Sequence, residues 1–409
     1  MSVIEDPALR DLWTVEAVRE RAIELLELGL NGALEHFAID ESRLDDAAHL
    51  VAKVTRERFP DLRIPLHSRW RHFEGPDGSS RWDAVAVHAS LSEAERARSA
   101  VELAIVSVLL DAGAGSTWRY RDDRTGTEIG RSEGLAIATF DLYCRGALSN
   151  DPNQPLRADA GALGRMDRAA FERAFQLSDR NPLNGVAGRV RCLRALGRAV
   201  AARPEFDVHG EGCGTTGRRL GNLYDHIRAG APEGLVSAGD LFRSVLVALR
   251  AVIGRALGDV WFHAGIRRPG PTDRLLALHK LFQWLTWSLI EPLAAGGIDV
   301  TGTRALTGLA EYRNGGLLLD TGVLVPRPPL PDRAFSPGDA VIVEWRGLTV
   351  ALLDRLRPRV ARRLGIADPE LSIGQLLEGG TWWAGRRIAR SLREGGVPPI
   401  RTASDGTLF

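Results

Sequence analysis

The sequence VELAIVSVLL at residues 101–110 is almost wholly apolar. It continues a helical pattern that starts near residue 91, where Ser92 and Glu95 have the spacing of a capping box at a helix N-terminus. A helix that is apolar on all sides belongs in a protein interior. The pattern stops at the glycine-rich sequence DAGAG, residues 111–115, which is typical of helix C-termini. Residues 91–111 therefore predict a buried helix.

Helical periodicity also dominates the rest of the chain. Thr14 is the expected cap of a helix over residues 14–37, and a second helix is predicted over residues 41–58. Further helices are predicted over residues 131–147, 168–178, 185–202, 238–256, 273–292, 303–312, 347–364 and 384–394. Extended structure is expected only as a small β element at residues 67–88, around a Gly-Pro-Asp-Gly turn, and as a short strand at residues 340–345. The predicted fold class is mainly α.

The length of the chain and this pattern suggest two regions. Residues 1–95 are predicted to form an N-terminal helical region that includes the small β element. Residues 96–409 are predicted to form the main helical domain, which carries the functional site.

Composition excludes several classes of function. The 409 residues include 53 basic and 52 acidic side chains, so no global field attracts nucleic acid or an anionic membrane, and neither partner is expected. The longest apolar region, residues 275–290, is interrupted by His279, Lys280 and Gln283, so membrane insertion is not expected. The N-terminus does not resemble a secretion signal, and the three cysteines lack metal-ligand spacing. We expect a cytoplasmic protein; its oligomeric state does not follow from the sequence.

The stretch EYRNGG at residues 311–316 places an acid, a phenol and a guanidinium side by side before a glycine pair. These groups are Glu311, Tyr312 and Arg313, and an apolar run then leads to Asp320. We interpret the segment as a helix, a glycine break, an apolar run and a carboxylate. Adjacent acid-base groups of this kind predict a ligand-binding or catalytic site, and the alternative is a buried structural salt-bridge turn.

Two other clusters combine charge with aromatic rings. In HSRWRHF, residues 67–73, cations alternate with aromatics as they do around a phosphate or a planar ring, although ordinary surfaces also carry such runs. In DAGAGSTWRY, residues 111–120, Trp118 and Tyr120 follow Asp111 and the glycines, and their rings are able to stack on a sugar or base. The second stretch lacks the lysine of a phosphate-binding loop. Further along the chain, Ser132 is a candidate cap of the next helix, and the amides of that helix N-terminus either face an anion or are part of a structural cap only.

A polar stripe follows the apolar segment at residues 278–292. Lys280, Gln283, Trp287 and Glu291 recur every three or four residues and so share one helix face. Lys280 is one of only two lysines among the 53 basic residues, which suggests a use for its compact, titratable ammonium group. Buried polar groups need partners, and these are either a ligand or an acid such as Glu291.

Other chemistries lack their motifs. The chain contains no His-Glu-x-x-His pair, no EF-hand loop and no Gly-x-Ser-x-Gly nucleophile elbow. We therefore expect no metal and no organic cofactor.

These motifs together resemble the Urc/Urg uracil-catabolism family, and the resemblance extends over nearly the whole chain. The stretches that carry it are residues 67–73, 111–115, 131–135, 279–281, 284–286, 288–292, 307–309, 311–318 and 404–407. The resemblance implies a role in pyrimidine degradation, through a ribosylated intermediate that opens to ribosylurea and finally releases urea. A fainter similarity relates residues 311–313 to the Asp-Tyr-Arg segment of queuosine salvage N-ribosyl hydrolases. We expect the helical fold to be distantly similar to that of DNA glycosylases.

The resemblance leads to the hypothesis of a hydrolase that cleaves the N-ribosyl bond of ribosylurea or its 5-phosphate. A carboxylate at position 311 stabilises the positive charge that develops on the sugar. The expected catalytic residues are Glu311, Asp320 and Tyr312. The expected substrate-binding residues are Arg313, Lys280, His279, Gln283, Trp284, Arg69, His67, Asp111, Trp118 and Tyr120. The alternatives are a ureide amidohydrolase and a non-catalytic binding or scaffold protein of the same pathway.

Overall fold

A computed structural model describes residues 7–75, 77–207 and 217–403. Cys213 and residues 404–407, which enter the sequence arguments above, lie outside the described residues. The described chain contains fifteen α-helices: α1 (Val15–Leu30), α2 (Leu44–Arg58), α3 (Arg81–His88), α4 (Glu93–Leu109), α5 (Arg131–Cys144), α6 (Ala160–Gly164), α7 (Arg168–Ala174), α8 (Val186–Ala202), α9 (Asn222–Ala229), α10 (Ala238–Leu249), α11 (Lys280–Ala295), α12 (Tyr312–Asp320), α13 (Ala340–Leu364), α14 (Ile373–Leu376) and α15 (Trp382–Leu392).

Eight strands of three residues each complete the described structure: β1 (Phe37–Ile39), β2 (Arg119–Arg121), β3 (Glu128–Gly130), β4 (Leu235–Ser237), β5 (Val260–Phe262), β6 (Leu275–Ala277), β7 (Asp299–Thr301) and β8 (Leu324–Pro326). They form four two-stranded ladders, of which only β4 with β7 is parallel. The predicted mainly α fold is confirmed. No helix within the described ranges has both the length and the apolar character needed to cross a bilayer.

The chain divides into two compact units, each assembled from separate stretches of sequence. The first unit comprises the described parts of Met1–His67, Asp259–Gln283 and Gly302–Ala403. The second unit comprises the described parts of Ser68–Gly258 and Trp284–Thr301. Residue 95, after which the sequence suggests a boundary, lies inside α4 of the second unit.

The first unit is built around α13. Every residue of this helix from Val341 to Leu353 is buried, and the helix packs against α1, α2 and α12. Helix α15 packs along α12 and also contacts α2. The antiparallel pairs β1–β8 and β5–β6 belong to this unit and place Phe37 opposite Pro326 and Val260 opposite Ala277. The core of this unit is therefore helical, and its strands tie distant parts of the chain together.

The second unit contains the predicted buried helix. Helix α4 is capped by Ser92, whose Oγ accepts a 3.3 Å hydrogen bond from the Glu95 amide, and its residues from Ser99 to Leu109 are buried. The helix carries Glu102 into the core, where Arg219 donates hydrogen bonds of 2.6 and 3.0 Å to its carboxylate. This prediction is confirmed, and the buried acid is compensated by a buried guanidinium.

Two predictions of regular structure are wrong. The expected strand at residues 340–345 is the first part of α13, because a helix buried on all sides shows no periodicity that separates it from a buried strand. The expected helix at residues 303–312 is a short 3-10 turn at Thr303–Ala305, and α12 begins only where that helix was predicted to end.

Two further predictions hold only in part. The predicted helix at residues 273–292 begins late, because β6 precedes it and His279 adopts a φ of 43°. At residues 67–88 the β element is a single bridge between Glu74 and Ser80, flanked by a 3-10 turn at Arg69–Phe73 and by α3.

Candidate functional site

Glu311 is the N-terminal cap of α12. Its backbone is extended, and its side chain accepts hydrogen bonds from the amides of Arg313 (3.0 Å, to Oε2) and Asn314 (2.6 Å, to Oε1). The residue is 9% exposed. A helix N-terminus favours negative charge, and hydrogen bonds from two amides fix the orientation of the carboxylate. The acid is thus immobilised, and each oxygen keeps a further lone pair.

The glycine pair lies inside α12 and does not break it. A side chain at Gly315 would place its Cβ 2.6 Å from the Nε1 atom of Trp345 and 2.8 Å from the hydroxyl of Thr349. Neither Gly315 nor Gly316 has a positive φ. The glycines therefore allow α13 to approach α12, and the predicted glycine break is wrong.

Arg313 is held by contacts with α15 and with the neighbouring Tyr312. Its guanidinium lies 4.4 Å from the ring centroid of Trp382 and 5.1 Å from that of Tyr312. A Cβ at Gly385 would lie 2.2 Å from the carbonyl oxygen of Arg313, so only glycine permits this approach. The cation is 5% exposed and is held between aromatic rings.

A buried ion pair anchors the loop that precedes Glu311. Arg346 donates to both oxygens of Asp259 at 2.9 and 2.7 Å, and its Nε donates to the carbonyl of Ala310 at 3.2 Å. Burial opposes ionisation of Asp259, but the guanidinium charge and its hydrogen bonds outweigh that effect and hold the pKa of Asp259 well below its usual range. The ion pair therefore links α13, the start of β5 and the backbone next to Glu311.

His279 and Lys280 both contact Asp259, His279 through an amide hydrogen bond of 3.3 Å to the main-chain carbonyl and Lys280 through the carboxylate. The amide of Lys280 donates to Asp259 at 3.1 Å, and the Nε2 atom of His279 donates to the carbonyl of Leu12 at 2.8 Å. Burial lowers the pKa of His279 to about 4, so the ring is neutral at pH 7. Since a carbonyl only accepts, the single ring proton of the neutral form is committed to Leu12.

Two buried amide side chains flank the loop at residues 307–309. The Oε1 atom of Gln283 accepts from the Thr307 amide at 3.4 Å, and the Nδ2 atom of Asn314 donates to the Leu309 carbonyl at 3.2 Å. Their other atoms, Nε2 of Gln283 and Oδ1 of Asn314, have no hydrogen-bond partner within the described part of the chain. Buried polar atoms of this kind indicate a place for water or a ligand.

Of the other predicted residues of the first unit, Asp320 lies apart from this cluster and His67 contacts a different acid. Asp320 is at the far end of α12, about 13 Å from Glu311 at the rise of an α-helix, and it is paired with Arg393 at 2.9 Å. His67 contacts Glu378 through Nδ1 at 2.8 Å. Glu378 belongs to the π-helical turn Leu377–Thr381, a form that is frequent at functional sites. The geometry thus does not bring Asp320 to Glu311.

Arg69 and Asp111 form a polar cluster in the second unit. The fully buried guanidinium of Arg69 donates to Asp111 at 2.7 Å, to the hydroxyl of Ser107 at 2.7 Å and to that of Ser132 at 3.0 Å. It also lies 5.4 Å from the ring of Trp284, and burial lowers its pKa. Its Nη2 atom has no hydrogen-bond partner among the described residues.

Trp118 and Tyr120 are fully buried in the second unit. The indole Nε1 of Trp118 donates to the Phe175 carbonyl at 3.0 Å, and the hydroxyl of Tyr120 donates to Asp141 at 2.7 Å. Burial raises the pKa of Tyr120. Both rings are core residues with satisfied polar atoms, and their predicted contact with a sugar stays a prediction.

The structure therefore brings together part of the predicted set. The Asp259–Arg346 pair contacts the backbones of His279, Lys280 and Ala310. Arg313 donates its amide to Glu311, and Gln283 accepts from Thr307 in the loop that precedes Glu311. The predicted residues of the second unit are Arg69, Asp111, Trp118, Tyr120 and Trp284. No group of three or more His, Cys, Asp or Glu residues within the described ranges has the geometry of a metal site.

Comparison with known proteins places the chain in a family. The family model described as "Protein of unknown function (DUF1688)" matches residues 11–409. The chain belongs to this family. The chain is also 34% identical to Protein urg3 of Schizosaccharomyces pombe over 415 residues, which cover 97% of the chain and 98% of that protein. It is 34% identical to Uracil catabolism protein 4 of Lachancea kluyveri over 438 residues, with the same shares covered. The resemblance of this DUF1688 member to the Urc/Urg family is confirmed.

Sequence reasoning missed three acidic or basic residues in this DUF1688 member. Asp259, Arg346 and Glu378 are buried charges. Asp259 contacts the backbone of Lys280, Glu378 contacts His67, and Arg346 contacts the carbonyl of Ala310, the residue before Glu311. Arg346 did leave a signal, because it interrupts the apolar stretch AVIVEWRGLTVALL, residues 340–353. A buried charge in such a run requires a partner of opposite charge.

Proposed function

We propose that the protein acts in uracil catabolism and hydrolyses the N-ribosyl bond of ribosylurea or of its 5-phosphate, with release of urea. The near full-length relationship to a protein named Uracil catabolism protein 4 supports the pathway. The observation that carries the proposed reaction is the Glu311 carboxylate, buried and held by two backbone amides.

Cleavage of the N-ribosyl bond leaves positive charge on the anomeric carbon. A carboxylate that is already fixed stabilises this charge without rearrangement of the site. Because Glu311 Oε1 and Oε2 each accept one backbone hydrogen bond from the described residues, a lone pair remains to receive a proton from the attacking water. Glu311 thus combines charge stabilisation with general-base catalysis.

The neighbouring polar groups support the binding of a sugar. The Nε2 atom of Gln283 supplies a donor and the Oδ1 atom of Asn314 an acceptor, both next to the loop that leads to Glu311. Ribose hydroxyls donate and accept, so they satisfy both atoms. Tyr312, which is partly exposed and adjacent to the acid, is the proposed proton donor to urea, because the proton of His279 is bound to Leu12. Arg313 and Lys280 are the proposed cations for the 5-phosphate.

The test is direct incubation of the purified protein with ribosylurea and with its 5-phosphate. Urea and reducing sugar are measured separately, so that hydrolysis of the N-ribosyl bond is distinguished from hydrolysis of the ureide. Stoichiometric release of both products supports the proposal. Release of ammonia and carbon dioxide without urea supports an amidohydrolase instead, because the ribosylamine left by that reaction also hydrolyses to free sugar. No product from either compound refutes the proposal.

A further inference from the structure

The first unit contains an arginine-lined cleft in addition to the Glu311 cluster. The cleft has a volume of about 240 Å³ and lies between α2 and α15. Its lining residues are Val54, Arg58, Trp383, Arg386, Arg387 and Arg390. All six lie in described parts of the chain, and no carboxylate is among them.

The spacing of the arginines shows that the cleft is built by two helix faces. Arg386, Arg387 and Arg390 follow Trp383 by three, four and seven positions, so α15 presents all four side chains on one face. Like charges three or four residues apart destabilise an isolated helix. The helix dipole favours Arg390 in the last turn, but Arg386 and Arg387 lie near the middle of α15. Helix stability alone therefore does not account for three arginines on one face of α15.

Aromatic contacts hold two of the cations close to each other. The guanidinium of Arg58 lies 3.8 Å from a ring centroid of Trp383, and that of Arg386 lies 5.4 Å from the same residue. Burial lowers the pKa of Arg58; Glu378, at 3.7 Å, opposes that shift and the charge of Arg386 adds to it. The indole thus orients two guanidinium groups whose charges repel each other.

The cations are not all neutralised by acids of the protein. Arg387 forms an ion pair with Glu57 at 2.5 Å, and both side chains are largely exposed. Arg390 has no ion pair within the described residues. An anion in the cleft relieves the repulsion between the guanidinium groups of Arg58 and Arg386 and supplies a counter-charge for Arg390.

The size of the cleft limits the anion. Sites for drug-sized ligands occupy roughly 300–1,000 Å³, so 240 Å³ is suited to a single phosphate group and a small attached fragment. Planar guanidinium groups match the oxygens of phosphate in bidentate geometry. A long polyanion such as a nucleic acid requires a continuous basic surface, and the chain has a net charge of only +1.

We propose that this cleft is a binding site for the phosphate group of a small phosphorylated molecule. Arg58 and Arg386, oriented by Trp383, form its inner wall, and Arg387 and Arg390 form its rim. Glu311 does not line the cleft, so the binding of phosphate does not depend on the reaction proposed above.

The experiment is calorimetric titration of the full chain with inorganic phosphate, ribose 5-phosphate and ribose at constant ionic strength. The test variant is Arg386→Gln/Arg390→Gln. The matched control is Arg355→Gln/Arg362→Gln, which removes the same charge from exposed positions of α13 in the same unit. We expect the wild type and the control to bind phosphate alike, and the test variant to bind at least about tenfold more weakly.

Equal loss in both double variants means non-specific attraction and overturns the proposal, as does wild-type protein that shows no binding. Only binding that the test variant loses is assigned to the cleft, because Arg313 and Lys280 are the proposed cations of the other site. If that part is tighter for ribose 5-phosphate than for phosphate, a sugar phosphate is the ligand, and if it is equal the phosphate group alone is recognised. Binding of ribose that the test variant loses overturns the proposal. If the double variant does not fold, Arg390→Glu replaces it, because this side chain is exposed. Unchanged phosphate affinity in folded Arg390→Glu also overturns the proposal. Since no turnover is measured, the result is independent of the hydrolase assay.

Discussion

The substitution Glu311→Gln distinguishes two roles of Glu311, that of a catalytic carboxylate and that of a helix cap only. Glutamine keeps the size of the side chain but replaces one carboxylate oxygen with an NH2 group. That group then faces the amide of Arg313 or of Asn314, both of which are donors, so one of the two capping hydrogen bonds is lost. Loss of a helix cap of this kind costs about 1–2 kcal/mol of unfolding free energy.

The expected effect on catalysis is much larger. A group that transfers a proton in the transition state contributes roughly 10²–10⁴-fold to the rate. A protein with about 5–15 kcal/mol of stability remains almost fully folded after a loss of about 2 kcal/mol, so unfolding does not mimic this effect. We therefore expect Glu311→Gln to lower kcat for urea release by two to four orders of magnitude, with nearly unchanged substrate affinity.

Glu311→Asp and Asp320→Asn are the matched variants. Aspartate is a good helix cap, so Glu311→Asp keeps the stability while it withdraws the carboxylate by about 1.5 Å, a displacement that costs about 10²-fold in rate. Asp320→Asn removes a carboxylate at the other end of α12 and is expected to change stability more than turnover. Urea release and chemical denaturation are measured for each variant. A folded Glu311→Gln protein that retains a tenth or more of wild-type kcat shows that Glu311 is a cap only.

Three further predictions concern the surroundings of the site. Arg346→Met leaves the buried carboxylate of Asp259 without its guanidinium and is expected to lower the unfolding free energy, measured by chemical denaturation, by about 3–5 kcal/mol. The double variant Arg346→Met/Asp259→Leu is expected to recover much of that loss. Additive losses in the double variant contradict the ion-pair argument. The pKa of His279 is lowered from 6.5 to about 4, so the unfolded chain binds more protons than the folded chain between these pH values. The unfolding free energy is therefore expected to fall by about 3 kcal/mol as the pH drops from about 6.5 to about 4, and His279→Gln is expected to reduce this dependence on pH. Parallel plots of unfolding free energy against pH for the wild type and the variant refute the assignment. Gly385→Ala is expected to lower the unfolding free energy by about 1–3 kcal/mol, because the new methyl group meets the Arg313 carbonyl. Gly164→Ala, whose new methyl group would have no neighbouring atom within 4 Å, is expected to be neutral or stabilising by up to about 1 kcal/mol. Equal melting temperatures of the two variants contradict this prediction.

Helices with local signals were predictable from the sequence. Thr14 caps α1 through a 3.1 Å hydrogen bond from the Ala17 amide, and Ser92 caps α4, because a cap and the first turn are neighbours in sequence. The prediction of a strand at residues 340–345 was wrong because the structure of this segment depends on contacts that are distant in sequence. Those residues are helical because α1, α2 and α12 surround them, and none of these contacts is local.

The candidate site was predictable in its residue types but not in its arrangement. The sequence indicates that Glu311 and Arg313 are special, because an acid and a cation adjoin a glycine pair. It does not show that Glu311 caps α12, since glutamate is not among the preferred capping residues. Nor does it show that Gly315 accommodates Trp345, which lies 30 positions further along the chain. Such pairings depend on the packing of α12 against α13.

The interrupted sequence of the first unit has a consequence for synthesis on the ribosome. Helices α1 and α2 emerge before α13, against which both pack and which begins about 280 residues after α2 ends. The apolar faces of α1 and α2 therefore stay uncovered while most of the chain is translated, and exposed surface of this kind promotes aggregation or recruits chaperones. A nascent chain that stops before residue 340 lacks the partner of both helices, so premature termination yields a fragment that is a substrate for proteolysis.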